Sequence, residues 1–124
     1  MVSDSLGHLA RDEMLDAAAR FGISGIEFNA ANWTSALHLN IGEMLSSAGE
    51  RKNLLTAVKL RGLEISALNA NGNQLHPTQG NQQSATLYDT VKLAGALGVK
   101  TVVCMSGLPE GIAGDKMPIL ILHI

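Results

Sequence analysis

A chain of 124 residues can build one domain with one ordinary core, and it is short of the roughly 250 residues used by an eight-stranded barrel. Nine basic and eleven acidic residues, with no basic run, leave no electrostatic footprint for a phosphate-backbone partner, so nucleic acid is not an expected ligand. The apolar stretch 117–124 is too short to span a bilayer, residues 1–5 lack the regions of a signal peptide, and the single cysteine, Cys104, cannot form a disulfide within the chain. The expected setting is therefore cytoplasmic, without a membrane partner.

In chain order, one pattern recurs three times: a helical stretch, a glycine, then a short apolar strand. The first unit runs from Arg11 to Phe21, through Gly22, into the strand Gly25-Ile26-Glu27-Phe28-Asn29. The second runs from Glu50 to Arg61, through Gly62, into Leu63 to Leu68. The third runs from Ser84 to Leu97, through Gly98, into Val99 to Met105. Leu54, Leu55 and Val58 recur at helical spacing, as do Leu87, Val91, Leu93, Ala94 and Leu97. Gly22, Gly62 and Gly98 stand where helix ends favour a left-handed residue. Cys104, between Val103 and Met105, reads as a buried apolar filler. Strands separated by helices imply parallel pairing, so the fold class is α/β with about three parallel strands. Two architectures suit it: part of a (β/α) barrel, or an open doubly wound parallel sheet.

No apolar strand precedes the first helix, and the chain ends soon after its third strand. Open strand edges and an uncovered sheet face invite pairing, which predicts self-association. The segments after each strand (29–49, 69–83 and 106–115) are rich in Asn, Gly, Gln and Ser. In parallel α/β folds ligands are held at the carboxyl ends of strands, so functional residues are expected there.

Each candidate carries two readings. His76 follows the second strand above in a polar loop, where an imidazole suits a substrate hydroxyl or a metal sphere; the alternative is a histidine bonded to its own turn beside Pro77. Asn69, Asn71 and Asn73 suit sugar hydroxyls, or turn chemistry beside Gly72. Glu27 sits inside an apolar strand, where a carboxylate needs a partner: a ligand at the mouth, or a neighbouring strand. Glu64, earlier in its strand, reads as structural. Trp33 suits the wall of a sugar pocket or the packing of its loop; Asn32-Trp33-Thr34 also fits the N-glycosylation pattern by chance. His38 lies in the same loop, within possible reach of His76. Ser106-Gly107 suits a phosphate held by backbone N–H groups, or a tight turn. Gly107, Gly111 and Gly114 match no nucleotide-binding spacing.

Arg61-Gly62-Leu63-Glu64-Ile65-Ser66-Ala67-Leu68, Asn73-Gln74-Leu75-His76-Pro77 and Leu97 to Gly107, with Gly25-Ile26-Glu27-Phe28 before Asn32-Trp33, resemble the sugar phosphate isomerase/epimerase family, the xylose-isomerase-like TIM barrels. The resemblance covers roughly residues 10 to 111 and makes the three strands barrel strands two, three and four. It implies metal-assisted isomerisation or epimerisation of a sugar, sugar phosphate or polyol, with a divalent Mn, Mg, Co or Zn ion. Most metal ligands and bases of the family come from later strands, so no residue of this chain is assigned as a metal ligand or catalytic group. His76, Asn73, Asn69, Trp33, Glu27 and Ser106 are the expected substrate-binding residues. Residues 1–111 form the family-like part, and 112–124 depart from it as a tail. The competing expectations are a non-catalytic half-barrel that pairs with itself or another half, and a nuclease related to the apurinic endonucleases, which share this barrel.

Overall fold

A computed structural model describes residues 1–31 and 35–105. Trp33, Ser106, the glycines at 107, 111 and 114, and the boundary between a family-like part and a tail lie outside the described residues.

The element order is a 3-10 turn (Ser3–Leu6), α1 (Arg11–Arg20), β1 (Gly25–Asn29), α2 (Ile41–Ser46), α3 (Ala48–Leu60), β2 (Glu64–Ala70), α4 (Gly80–Leu97) and β3 (Val102–Cys104). The three strands form one parallel sheet in the order β1-β2-β3. This is the helix-linked parallel arrangement expected from the repeated pattern, and no switch point falls among the described strands. Gly22, Gly62 and Gly98 all take φ near +70°, the left-handed conformation that closes each helix without a Cβ penalty.

Two of the helices, α2 and α3, start with side-chain caps. Glu43 N–H donates to Asn40 Oδ1 at 3.1 Å to open α2, and Glu50 N–H donates to Ser47 Oγ at 3.2 Å to open α3. Each satisfies an amide that the first turn leaves unbonded. α2 was not expected: it lies within a segment whose polar composition reads as loop. α4 begins four residues earlier than its apolar spacing suggests, and β3 is shorter than the apolar run 99–105.

One layer of apolar side chains joins helices to sheet. Ile26 and Phe28 of β1, Leu68 of β2, Met14, Leu15 and Ala18 of α1, Leu54 and Val58 of α3, and Leu93, Ala94 and Leu97 of α4 are buried together. Each large side chain fully buried there contributes about 1.5–3 kcal/mol of apolar transfer. Thr90 completes the buried stripe of α4, its hydroxyl donating to Thr86 O at 2.8 Å. Val91 and Leu55, expected in the core, are instead exposed, because the positions that face the sheet are 90, 93, 94 and 97 on α4 and 54 and 58 on α3. Cys104 is exposed too: among the described residues β3 is the outer strand of the sheet.

The sheet is longer on its other side than the sequence suggests. Met1 and Val2 run parallel to β1, with Glu27 N–H donating to Met1 O at 2.8 Å and the Met1 ammonium donating to Gly25 O at 2.9 Å. Two residues with no apolar run around them give no strand signal. Among the described residues no helix is long and apolar enough to cross a membrane.

Candidate functional site

Period-two alternation divides β1 between two environments: Ile26 and Phe28 face the helices, while Glu27 and Asn29 face the opposite side. A β-bulge then sets what stands beside them. Gly25 and Ile26 pair with Glu64 and Ile65, but Glu27 pairs with Ala67, Phe28 with Leu68 and Asn29 with Asn69, so Ser66 is the extra residue. Without that shift Phe28 would meet Ala67, and Asn29 would meet Leu68. The bulge matches two wholly buried apolar side chains on one face and two asparagines on the other. Gly25 makes room for it, since a Cβ there would come within 3.3 Å of the Ser66 Cβ.

The polar side of this register holds two carboxylate–carboxamide pairs. Asn69 Nδ2 donates to Glu27 Oε1 at 2.6 Å, across the two strands. Asn29 Nδ2 donates to Asp4 Oδ2, which comes from the 3-10 turn at the start of the chain. The same turn supplies Ser3, whose Oγ accepts the Asn29 N–H at 3.1 Å. Asn71 Nδ2 donates to Asn29 Oδ1 at 3.4 Å, joining the end of β2 to the end of β1. In each pair the carboxylate accepts an amide hydrogen and so fixes which way the amide oxygen points. Asn69 Oδ1 is left buried and without a hydrogen-bond partner.

The loop after β2 is organised differently. Asn73 Oδ1 accepts the Leu75 N–H at 3.0 Å, and the Asn73 N–H donates to Gln83 Oε1. His76 Nδ1 accepts the N–H groups of Thr78 and Gln79 at 3.2 and 3.1 Å, and His76 O accepts the Gly80 N–H at 2.9 Å. With Nδ1 an acceptor, the neutral ring carries its hydrogen on Nε2. His76 thus closes the turn that leads into α4, which is why the helix starts before its apolar spacing does. Gly80 lies against the same loop, where a Cβ would fall 2.5 Å from Gln74 O. Both polar atoms of the Gln74 side chain are buried without partners.

The expected site residues therefore separate into two groups. Glu27 and Asn69 come together at the sheet, with Asn71 beside them. Asn73 and His76 bond within their loop and the first turn of α4. His38 is buried, with Nε2–H donating to Leu9 O at 2.8 Å and Nδ1 unpartnered. Its bond ties the loop after β1 to the segment before α1. Asp4, Ser3 and Gln83 were not expected at all. Nothing in the sequence marks a contact between Asp4 and a residue 25 positions later, whereas Asn29, at a strand's carboxyl end, carried a positional signal.

Between the end of β1 and the first turns of α4 lies a cavity of about 330 Å³, lined by Ala31, Gln79, Gln82, Gln83 and Thr86. Gln83 is buried and donates through Nε2 to Gln79 Oε1 at 3.1 Å. Ala31 stands two residues beyond Asn29, and Gln83 holds the Asn73 N–H, so the cavity adjoins the strand ends.

Several of the described cations are bonded on the helical side. Arg61 pairs with Asp16, Arg11 with Asp12 and Lys92 with Asp89, while Arg51 Nη1 donates to Met44 O and Leu45 O. The Asp16 carboxyl is held below the usual carboxylate range, first by its hydrogen bond from Arg61 and then by the charges of Arg61 and Arg20.

The chain is similar to a Bacillus protein. The Bacillus subtilis (strain 168) protein described as uncharacterized protein YfiH is 44% identical over 118 residues, 94% of this chain. The chain spans 38% of that relative's length. No protein-family model matches the chain.

Proposed function

We propose that the chain forms part of a sugar phosphate isomerase/epimerase-like barrel and binds a sugar, sugar phosphate or polyol at the carboxyl ends of its strands. One observation carries the reading: Asp4, Glu27, Asn29, Asn69 and Asn71 converge from the first turn of the chain and from two parallel strands. Carboxylates and carboxamides in this arrangement accept from hydroxyl groups and hold them in fixed directions. The length of the Bacillus relative, about 310 residues from the share covered, lies within the range of complete barrels, roughly 200 to more than 400 residues. The reducing setting suggested by the lone, exposed Cys104 favours the cytoplasm.

Isomerisation moves a proton between adjacent carbons of a bound sugar, and epimerisation removes a proton from one carbon and returns one to its opposite face. Glu27 and Asn69 would orient neighbouring hydroxyls for that step. Among the described residues no group of three or more His, Cys, Asp and Glu side chains could hold a metal ion. The described residues thus do not fit a divalent-ion site by themselves. The test is incubation of the chain with aldoses, ketoses and polyols in D₂O, following proton exchange and ligand contacts by NMR. Ligand contacts at Glu27 and Asn69, weakened but still measurable in Glu27→Gln, are the expected result. Absence of contacts for every class of sugar would overturn the proposal.

A second reading, a half-barrel that associates with itself, is favoured by the outer strand: Val103 and Met105 are 37% and 48% exposed, and no described strand pairs with the outer edge of β3. Light scattering that shows concentration-dependent assembly, reduced by Val103→Lys, supports it. A monomer at every concentration rejects it.

A further inference from the structure

We infer that this site selects an uncharged polyol or sugar and discriminates against its phosphate ester. The inference rests on the proposed sugar-binding reading and narrows its ligand class. Its basis is a census of the groups that the strand ends present.

Asn69 and Asn29 each direct an amide hydrogen to a carboxylate, Glu27 and Asp4 respectively. The Asn69 oxygen is turned away from Glu27 and has no donor of its own, since an oxygen facing Oε1 at 2.6 Å would be repelled. The strand ends therefore offer the negative charge of Glu27 and Asp4. A hydroxyl group donates to such carboxylates; a phosphate brings more negative charge against them.

The adjoining cavity agrees. Among the described residues its polar lining is the Gln79, Gln82 and Gln83 carboxamides and the Thr86 hydroxyl, with no charged side chain. Such groups exchange hydrogen bonds with hydroxyls in both directions and neutralise nothing. Arg11, Arg61 and Lys92 pair with helix carboxylates, and Arg51 donates to the Met44 carbonyl. The Met1 ammonium is bonded at Gly25, the opposite end of β1 from Asn29.

The test compares esters with their parent polyols on the full chain labelled with ¹⁵N. Sorbitol and myo-inositol are titrated beside sorbitol 6-phosphate and myo-inositol 1-phosphate, reading the side-chain amide signals of Asn69 and Gln83. The expected result is a shift with at least one parent polyol, and binding of its ester weaker by about tenfold or more. Glu27→Gln, which removes a charge and keeps the shape, should narrow that ratio. An ester that binds as tightly as its parent overturns the inference and leaves the sugar-binding reading standing. If neither polyols nor esters move these signals, both fall. A ratio unchanged in Glu27→Gln overturns the electrostatic origin assigned here.

Discussion

Asn69 on β2 donates its side-chain amide to Glu27 on β1 at 2.6 Å, and no neighbouring pair of residues in the sequence encodes that contact. It exists because the bulge at Ser66 advances β2 by one residue against β1. Removing either partner strands the other at a half-buried position. Glu27→Ala and Asn69→Ala should each lower stability by about 1 kcal/mol, and the double variant should lose less than the sum. Urea unfolding of the four proteins measures the coupling; strict additivity would show that the two side chains act independently.

His76 presents a sharper division between roles. Its Nδ1 accepts two backbone N–H groups, so His76→Ala should cost about 1 kcal/mol, as loss of a helix cap does. His76→Asn returns an acceptor to the same turn and should recover most of that stability. Thermal melts of the three proteins check the structural role. Ligand binding measured on the well-folded Asn variant then reports any contact made by the imidazole itself.

Two glycines of the same helix should respond in opposite ways to alanine. At Gly80 a Cβ would fall 2.5 Å from the Gln74 carbonyl, and backbone cannot swing aside, so Gly80→Ala should destabilise by about 1–3 kcal/mol. At Gly95 a Cβ meets nothing within 4 Å, and the helix gains from a less flexible unfolded chain. Gly95→Ala should stabilise by roughly 0.4–1 kcal/mol. Denaturant midpoints that move in the same direction would contradict this account.

The ion pair on the helical surface predicts a pH dependence. The hydrogen bond from Arg61, reinforced by nearby positive charge, lowers the Asp16 pKa in the folded chain. The unfolded chain then binds the proton more tightly, so the pair's contribution is present above the ordinary carboxylate pKa of about 4. It is lost as pH falls through the lowered value of the folded state. Asp16→Asn should be slightly less stable than the parent at neutral pH and equal to it in strong acid. Because Asp16 lies at the surface, added salt should shrink the difference.

The sequence by itself determined the three helix-and-strand units, their parallel order, the left-handed glycines that end the helices, and the end of the sheet where polar groups collect. These depend on local chemistry: apolar periodicity along a helix, β-branched runs in strands, and the freedom of glycine at positive φ. It also marked Glu27 and Asn69 singly, each as a polar residue in an apolar strand or at its end. Cys104 shows the limit of that reasoning, for its apolar neighbours suggested burial while its outer strand leaves it exposed.

Only the tertiary structure decided which polar groups meet. The bulge placed Asn69 beside Asn29 and within reach of Glu27, and the chain's first turn brought Asp4 over the end of β1. His76 bonds within its own turn, one of the two readings its loop position allowed. Local rules are silent on these matters because register is chosen by the whole buried face. Phe28 settles against Leu68, both wholly enclosed, and the asparagines on the other side are carried along with them.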